Sequence, residues 1–192
     1  MNWKLIISVL AVIGIGIVAG MYLPRSQNGT TSTSTTASER PLKTYYDERY
    51  GIAFNFPDNY DVQEHDSTGA GAKHHTIVVG DKGALAGAPA NSEGPPVITI
   101  DIFPNPGNPG AEKWIKATNE SNYKLSPDGV LTATKVAGYD AIAYVWDGLY
   151  RSTTIVFPHK SQMYMLSVGY NSPTDQIRQD FPKVVASIQF DP

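Results

Sequence analysis

Residues 139–170 read YDAIAYVWDGLYRSTTIVFPHKSQMYMLSVGY, and this stretch decides the fold. It is rich in β-branched and aromatic residues, which favour strands. Turn sequences divide it at Asp147-Gly148 and again at residues 158–161, PHKS. Because these connections are too short for parallel crossovers, we expect an antiparallel meander. The pattern predicts strands over 139–147, 149–157 and 162–170.

The strand pattern extends from this meander towards the N-terminus. Ala137-Gly138 supplies one more turn, and VITIDIF at 97–103 is the clearest single strand of the chain. Residues 80–96 are rich in Gly, Pro and Ala, which predicts a long surface loop. Further strands are predicted over 52–56, 60–64, 75–79 and 130–136.

Two segments have helical rather than strand spacing. Apolar residues recur at helical intervals over 110–119 and over 174–187, and Pro182 is expected to kink the second helix or split it in two. Several strands carry apolar residues on both faces, so both faces need cover. The sequence therefore predicts the α+β class, with an antiparallel sheet flanked by helices.

The N-terminus carries a membrane signal. Residues 5–23, LIISVLAVIGIGIVAGMYL, contain no charge. As a helix they span about 28 Å, close to the bilayer hydrocarbon thickness of about 30 Å. We expect a single-pass transmembrane helix in the lipid bilayer of the cell membrane, with the remainder extracytoplasmic. The alternative is a cleaved signal peptide, for which Val18-Ala19-Gly20 offers a site.

These features divide the chain into three parts. Residues 1–25 form the predicted transmembrane anchor, and residues 26–44 form a Ser/Thr-rich linker with almost no apolar side chains. Residues 45–192 form the predicted globular domain. Only four of the 15 basic residues and one of the 18 acidic residues precede position 44, so the globular part is acidic. Nucleic acid is therefore not an expected partner.

Candidate metal ligands are few. The chain has no cysteine, which excludes disulfides and thiolate sites. His65, His74 and His75 lie close together in sequence, but adjacent residues of a strand point to opposite faces. The three remain a weak metal candidate, and the alternative is a set of solvated loop histidines. No cofactor is expected.

Other motifs carry little chemistry. The acidic run Asp58, Asp61, Glu64 and Asp66 lacks the spacing and the glycine of a calcium loop. The chain contains no Gly-x-Ser-x-Gly elbow, so nucleophilic catalysis has no motif. Aromatic residues could form an exposed partner-binding face, or could simply serve as good sheet formers. They are Tyr139, Tyr144, Trp146, Tyr150, Tyr164 and Tyr170.

Several short segments resemble the PsbP-like family, which shares its fold with the Mog protein. The resemblance covers about residues 45–190 and includes the segment YGIAFNFP at 50–57 and the Trp114 helix. It continues with VAGYDA at 136–141 and VASIQF at 185–190. The resemblance implies an α/β/α sandwich.

What this family implies about function is limited. Its bacterial relatives are commonly tethered or exported, its plant member is an accessory subunit of the oxygen-evolving photosystem, and its cytosolic and nuclear members bind a small GTPase. The family has no shared active site. We therefore expect a non-enzymatic, membrane-tethered binding or accessory module with a protein partner in the cell envelope. The alternative is a cell-envelope enzyme of hydrolase type.

Overall fold

A seven-stranded antiparallel sheet forms the centre of the computed structural model, which describes residues 40–67, 71–89 and 93–192. Its strand order is β3-β4-β5-β9-β8-β7-β6. These strands are β3 (Tyr60–Asp66), β4 (His75–Asp81), β5 (Ile98–Pro104), β6 (Thr132–Val136), β7 (Tyr139–Asp147), β8 (Arg151–His159) and β9 (Gln162–Tyr170).

The predicted meander is confirmed as β6 to β9, but one of its turns is shorter than expected. His159 pairs with Gln162, which leaves only Lys160 and Ser161 between β8 and β9. Pro158 therefore belongs to β8 and not to the turn. The pairing of β7 with β8 ends at Val156. On the side of β8 that faces β7, Pro158 therefore has no strand partner, and its missing N–H disrupts no hydrogen bond there.

A second, three-stranded sheet was not predicted. It has the order β1-β2-β10 and consists of β1 (Leu42–Asp47), β2 (Ile52–Pro57) and β10 (Gln189–Phe190). β1 thus begins inside the predicted linker 26–44. The apolar pattern does not predict β1, because most of its side chains are solvated; Leu42, for example, is 61% exposed. Backbone pairing with β2 holds the strand in place.

One helix corrects a further expectation. Within the predicted loop 80–96, residues Lys82–Gly87 form the short helix α1, and the Asp81 carboxylate caps it by accepting the N–H of Gly83 and Ala84. The helix α2 runs over Ala111–Ala117 and α3 over Gln176–Ala186. Pro182 lies inside α3 without splitting it.

Apolar side chains cover both faces of the large sheet. On one face, α3 and the small sheet enclose a core that includes Phe54, Ile100 and Val184. On the other face, α2 places Ile115 against a second core with Val156. The α+β class and the helix on each face are confirmed, but one face also needs the small sheet for its cover.

The predicted anchor 5–23 and residues 26–39 of the predicted linker lie outside the described residues. In the part of the chain that the structure describes, no helix has both the length and the hydropathy needed to cross a bilayer.

Candidate functional site

The described residues form a cleft with a volume of about 780 Å³. It lies where the β1–β2 turn, the end of β3, the start of β4 and the β8–β9 turn meet. Acidic, basic and aromatic side chains share its wall. Prominent among them are Arg49, Tyr50, Asp66, Lys73, His75 and Lys160.

His75 is a buried polar residue that lines this cleft. It is only 6% exposed, and the ring of Tyr50 lies over it with 5.3 Å between ring centroids. Its Nδ1 lies 2.8 Å from Oδ1 of Asp66, its direct cross-strand partner on β3. Because an ionised carboxylate only accepts hydrogen bonds, Nδ1 is the donor.

The other ring nitrogen of His75 faces two carboxylates. Nε2 lies 3.4 Å from Oδ2 of Asp47 and 3.6 Å from Oε2 of Glu64. These are ion-pair distances, yet no hydrogen bond of regular geometry reaches Nε2 among the described residues. Asp47 is buried at the end of β1, whereas Glu64 on β3 is exposed.

Asp66 has a pKa below its ordinary value. The hydrogen bond from His75 is the main cause, and the charge of Arg49, whose Nη1 lies 3.1 Å away, adds to it. The pKa of Tyr45, in contrast, lies above its ordinary value. Its pKa is raised by burial and by the hydrogen bond that its hydroxyl donates to Glu64. Asp66 is therefore ionised and Tyr45 neutral at neutral pH.

The neighbouring histidine points to the other face of the sheet, as predicted. His74 stacks on Phe103 of the second core at 4.5 Å, and its Nε2 lies 3.8 Å from Oδ1 of Asp101. Asp101 is buried and accepts hydrogen bonds from Thr76 and Thr99. Burial raises the pKa of Asp101.

The three candidate histidines therefore do not share one site. His65 is solvated but lies on β3 and not in a loop, and His75 is buried, so the alternative of solvated loop histidines is wrong for His75 and only partly right for His65. The acidic run is also not one site. Glu64 faces Nε2 of His75 and Asp66 faces Nδ1, whereas Asp61 is exposed on β3.

Sequence reasoning missed Asp47 altogether and did not connect Glu64 with His75. Asp47 is far from His75 in sequence, and no spacing rule joins them. One signal was available: if β3 and β4 form a hairpin in the observed register, Asp66 falls opposite His75, and Glu64 lies two residues away on the same face.

The aromatic residues of the meander serve mainly as sheet and core residues. Tyr164 and Tyr170 belong to one core, whereas Tyr144 belongs to the other. Tyr139 is 37% exposed and is the most accessible of the six predicted residues. They do not form one exposed face.

Comparison with solved structures shows which known fold the described chain resembles. No family model matches the chain, and no curated protein does. The solution structure of cyanobacterial PsbP (CyanoP) from Synechocystis sp. PCC 6803 is similar, with a TM-score of 0.51 and 14% identity. The match covers 85% of this chain and 100% of that one. The described chain thus has a PsbP-like fold.

A second solved structure, of a protein from Bacteroides thetaiotaomicron, has a TM-score of 0.48 and 11% identity. That match covers 78% of this chain and 48% of the other.

Proposed function

We propose that residues 40–192 act as an extracytoplasmic binding or accessory module without catalytic activity, tethered to the cell membrane by residues 5–23. The cleft beside His75 is the binding site for a protein partner of the cell envelope. The observation that carries the proposal is the composition of this cleft, whose wall presents fixed charges of both signs around an aromatic ring.

The cations of the cleft are suited to contacts with a partner. Arg49, Lys73 and Lys160 are exposed and project from three different segments of the wall. Glu48 and Asp191 add exposed carboxylates to the same wall. Complementary charges of this kind orient a partner and set specificity more than they set affinity.

The pKa values in the cleft favour binding over catalysis. Asp66 has a lowered pKa, and Tyr50 and Tyr164 have pKa values raised mainly by burial. Each of these groups therefore keeps its ordinary charge at neutral pH. A general acid or base works best when its pKa lies near the operating pH, and these three shifts lead away from it. They give the hydrolase alternative no support.

The proposal of a membrane tether is based on the uncharged run 5–23 alone. A retained anchor predicts that the protein stays in the membrane pellet after an alkaline carbonate wash. A soluble mature chain that begins near Met21 would instead establish the cleaved signal peptide.

Affinity capture from native membranes tests the binding function. We expect one stoichiometric protein partner to copurify with the full chain. Lys160→Glu reverses an exposed charge of the cleft and should reduce the recovery of this partner. Lys113→Glu, an exposed charge on α2 outside this cleft, is the matched control and should leave recovery unchanged. Equal recovery with both variants would place the binding surface elsewhere.

A further inference from the structure

From the arrangement of three side chains we infer that the protein binds one divalent transition-metal ion of the zinc class. Its ligands are Oδ2 of Asp47, Oε2 of Glu64 and Nε2 of His75. One ligand atom from each of these residues falls within 4.8 Å of the others. The site would hold a cation whether or not the cleft binds a protein partner.

Each carboxylate uses one oxygen for its own positioning and leaves the other oxygen facing His75. Oδ1 of Asp47 accepts the backbone N–H of Arg49 at 2.7 Å and that of Tyr50 at 3.1 Å. Oε1 of Glu64 accepts the Tyr45 hydroxyl at 2.6 Å. Oδ2 of Asp47 and Oε2 of Glu64 are the atoms that approach Nε2. Both ligands are therefore oriented before any ion binds.

The hydrogen bond at Nδ1 of His75 leaves Nε2 as the ring nitrogen that can bind a cation. Because Asp66 accepts a hydrogen bond from Nδ1, the neutral ring carries its lone pair on Nε2. That lone pair would face two carboxylate oxygens, which is repulsive. A metal ion at Nε2 removes the repulsion. Nε2 is buried and forms no regular hydrogen bond in the described chain, so no other protein group occupies this lone pair.

The distances suit a tetrahedral ion. Ligands about 2.1 Å from zinc at tetrahedral angles lie about 3.4 Å apart. The two distances from Nε2, 3.4 Å to Asp47 and 3.6 Å to Glu64, are close to this value. Three protein ligands leave a fourth position for water.

The ligand types select the ion. Calcium and magnesium prefer oxygen ligands, whereas an imidazole nitrogen with carboxylates suits zinc and similar transition metals. Asp66 acts as a positioning residue: its carboxylate holds Nδ1 and so fixes the ring with Nε2 towards the ion. Removal of such a partner lowers metal affinity by about 10- to 100-fold.

The test is equilibrium binding of zinc to the full chain in detergent, purified without a polyhistidine tag. We expect one equivalent of zinc to bind, and cobalt in its place to give the visible spectrum of a tetrahedral site. Calcium should not compete. Glu64→Gln keeps the shape of an exposed side chain and should weaken zinc binding by at least about tenfold. Asp66→Asn should weaken it over a similar range.

His65→Gln is the matched control, because His65 is an exposed histidine on the same strand as Glu64. It should bind zinc as the unchanged chain does. Circular dichroism of each variant checks the fold. The absence of zinc binding to the folded, unchanged chain would overturn the inference, as would equal weakening by His65→Gln and Glu64→Gln. These outcomes concern the chain alone and are independent of partner capture.

Discussion

Nδ1 of His75 donates a hydrogen bond to Oδ1 of Asp66 across 2.8 Å, and this contact joins the first residue of β4 to the last residue of β3. The pair lies at the end of the hairpin where the chain passes from β3 to β4, and the register places the two residues opposite one another. It fixes the ring of a buried histidine that lines the cleft. The shape of the proposed binding site therefore depends on a cross-strand pair.

Arg40 is predicted to stabilise the fold although it lies in the predicted linker. Its guanidinium forms an ion pair with the buried carboxylate of Asp180, which also accepts the hydroxyl of Tyr60 at 2.8 Å. Arg40→Ala leaves Asp180 with fewer partners. We expect the free energy of unfolding to fall by about 2 kcal/mol, measured by urea unfolding of the full chain in detergent.

Lys43→Ala is the matched control for this prediction, because Lys43 is an exposed cation on β1. We expect its effect to stay within about 0.5 kcal/mol. Equal effects of the two substitutions would mean that the Arg40–Asp180 pair contributes nothing beyond an ordinary surface charge.

Asp101 makes stability depend on pH in a defined direction. Burial raises the pKa of its carboxyl in the folded state, so the folded chain holds this proton more tightly than the unfolded chain. The contribution of Asp101 to stability is therefore greatest below the unfolded pKa of about 3.9. It falls as the pH rises through the folded pKa and is then constant.

Asp101→Asn removes this titration. The stability of the unchanged chain relative to the variant should decline as the pH is raised above the unfolded pKa of about 3.9. Urea unfolding at increasing pH measures the difference. A relative stability that rises with pH would show that the hydrogen bonds from Thr76 and Thr99 outweigh burial.

Gly51 is predicted to tolerate no side chain. Its φ is +59°, and a Cβ atom there would lie 2.9 Å from Oδ2 of Asp191. The Asp191 carboxylate accepts the Tyr46 hydroxyl, and the backbone N–H of Asp191 donates to the Gly51 carbonyl, so both contacts hold Asp191 beside Gly51. Gly51→Ala should lower the free energy of unfolding by about 1–2 kcal/mol.

Gly87→Ala is the matched control for Gly51→Ala. A Cβ at Gly87 meets nothing within 4 Å. Because alanine restricts the unfolded chain, stability should be unchanged or rise by up to about 1 kcal/mol. Thermal unfolding of both variants checks the contrast, and a harmless Gly51→Ala would contradict the strained turn.

Sequence pattern predicted those elements that carry apolar side chains at strand or helical spacing between clear turn residues. The bounds of β7 and β9 follow from strand-forming residues between turns, and the position of α3 follows from helical spacing, with Phe181 and Val184 inward. β1 was missed because its backbone pairing leaves most of its side chains in water. A pattern of apolar residues cannot report a strand that buries few of them.

The candidate site was less predictable for a different reason. Asp47, Glu64 and His75 come from three strands of two sheets, and only the packing of the β1–β2–β10 sheet on the large sheet brings Asp47 to the histidine. Local propensity carries no information about that packing. The Asp66–His75 pair was accessible in principle, because a single hairpin register determines it.

The most direct test of the account is site-specific photocrosslinking in the native membrane. A photoreactive residue at Ser161, which is exposed in the β8–β9 turn of the cleft, should yield a crosslink to one protein partner. The same group at Thr132, exposed on β6 at the edge of the large sheet remote from β3 and β4, should not. A crosslink from Thr132 and none from Ser161 would contradict the proposal that the cleft beside His75 binds the partner.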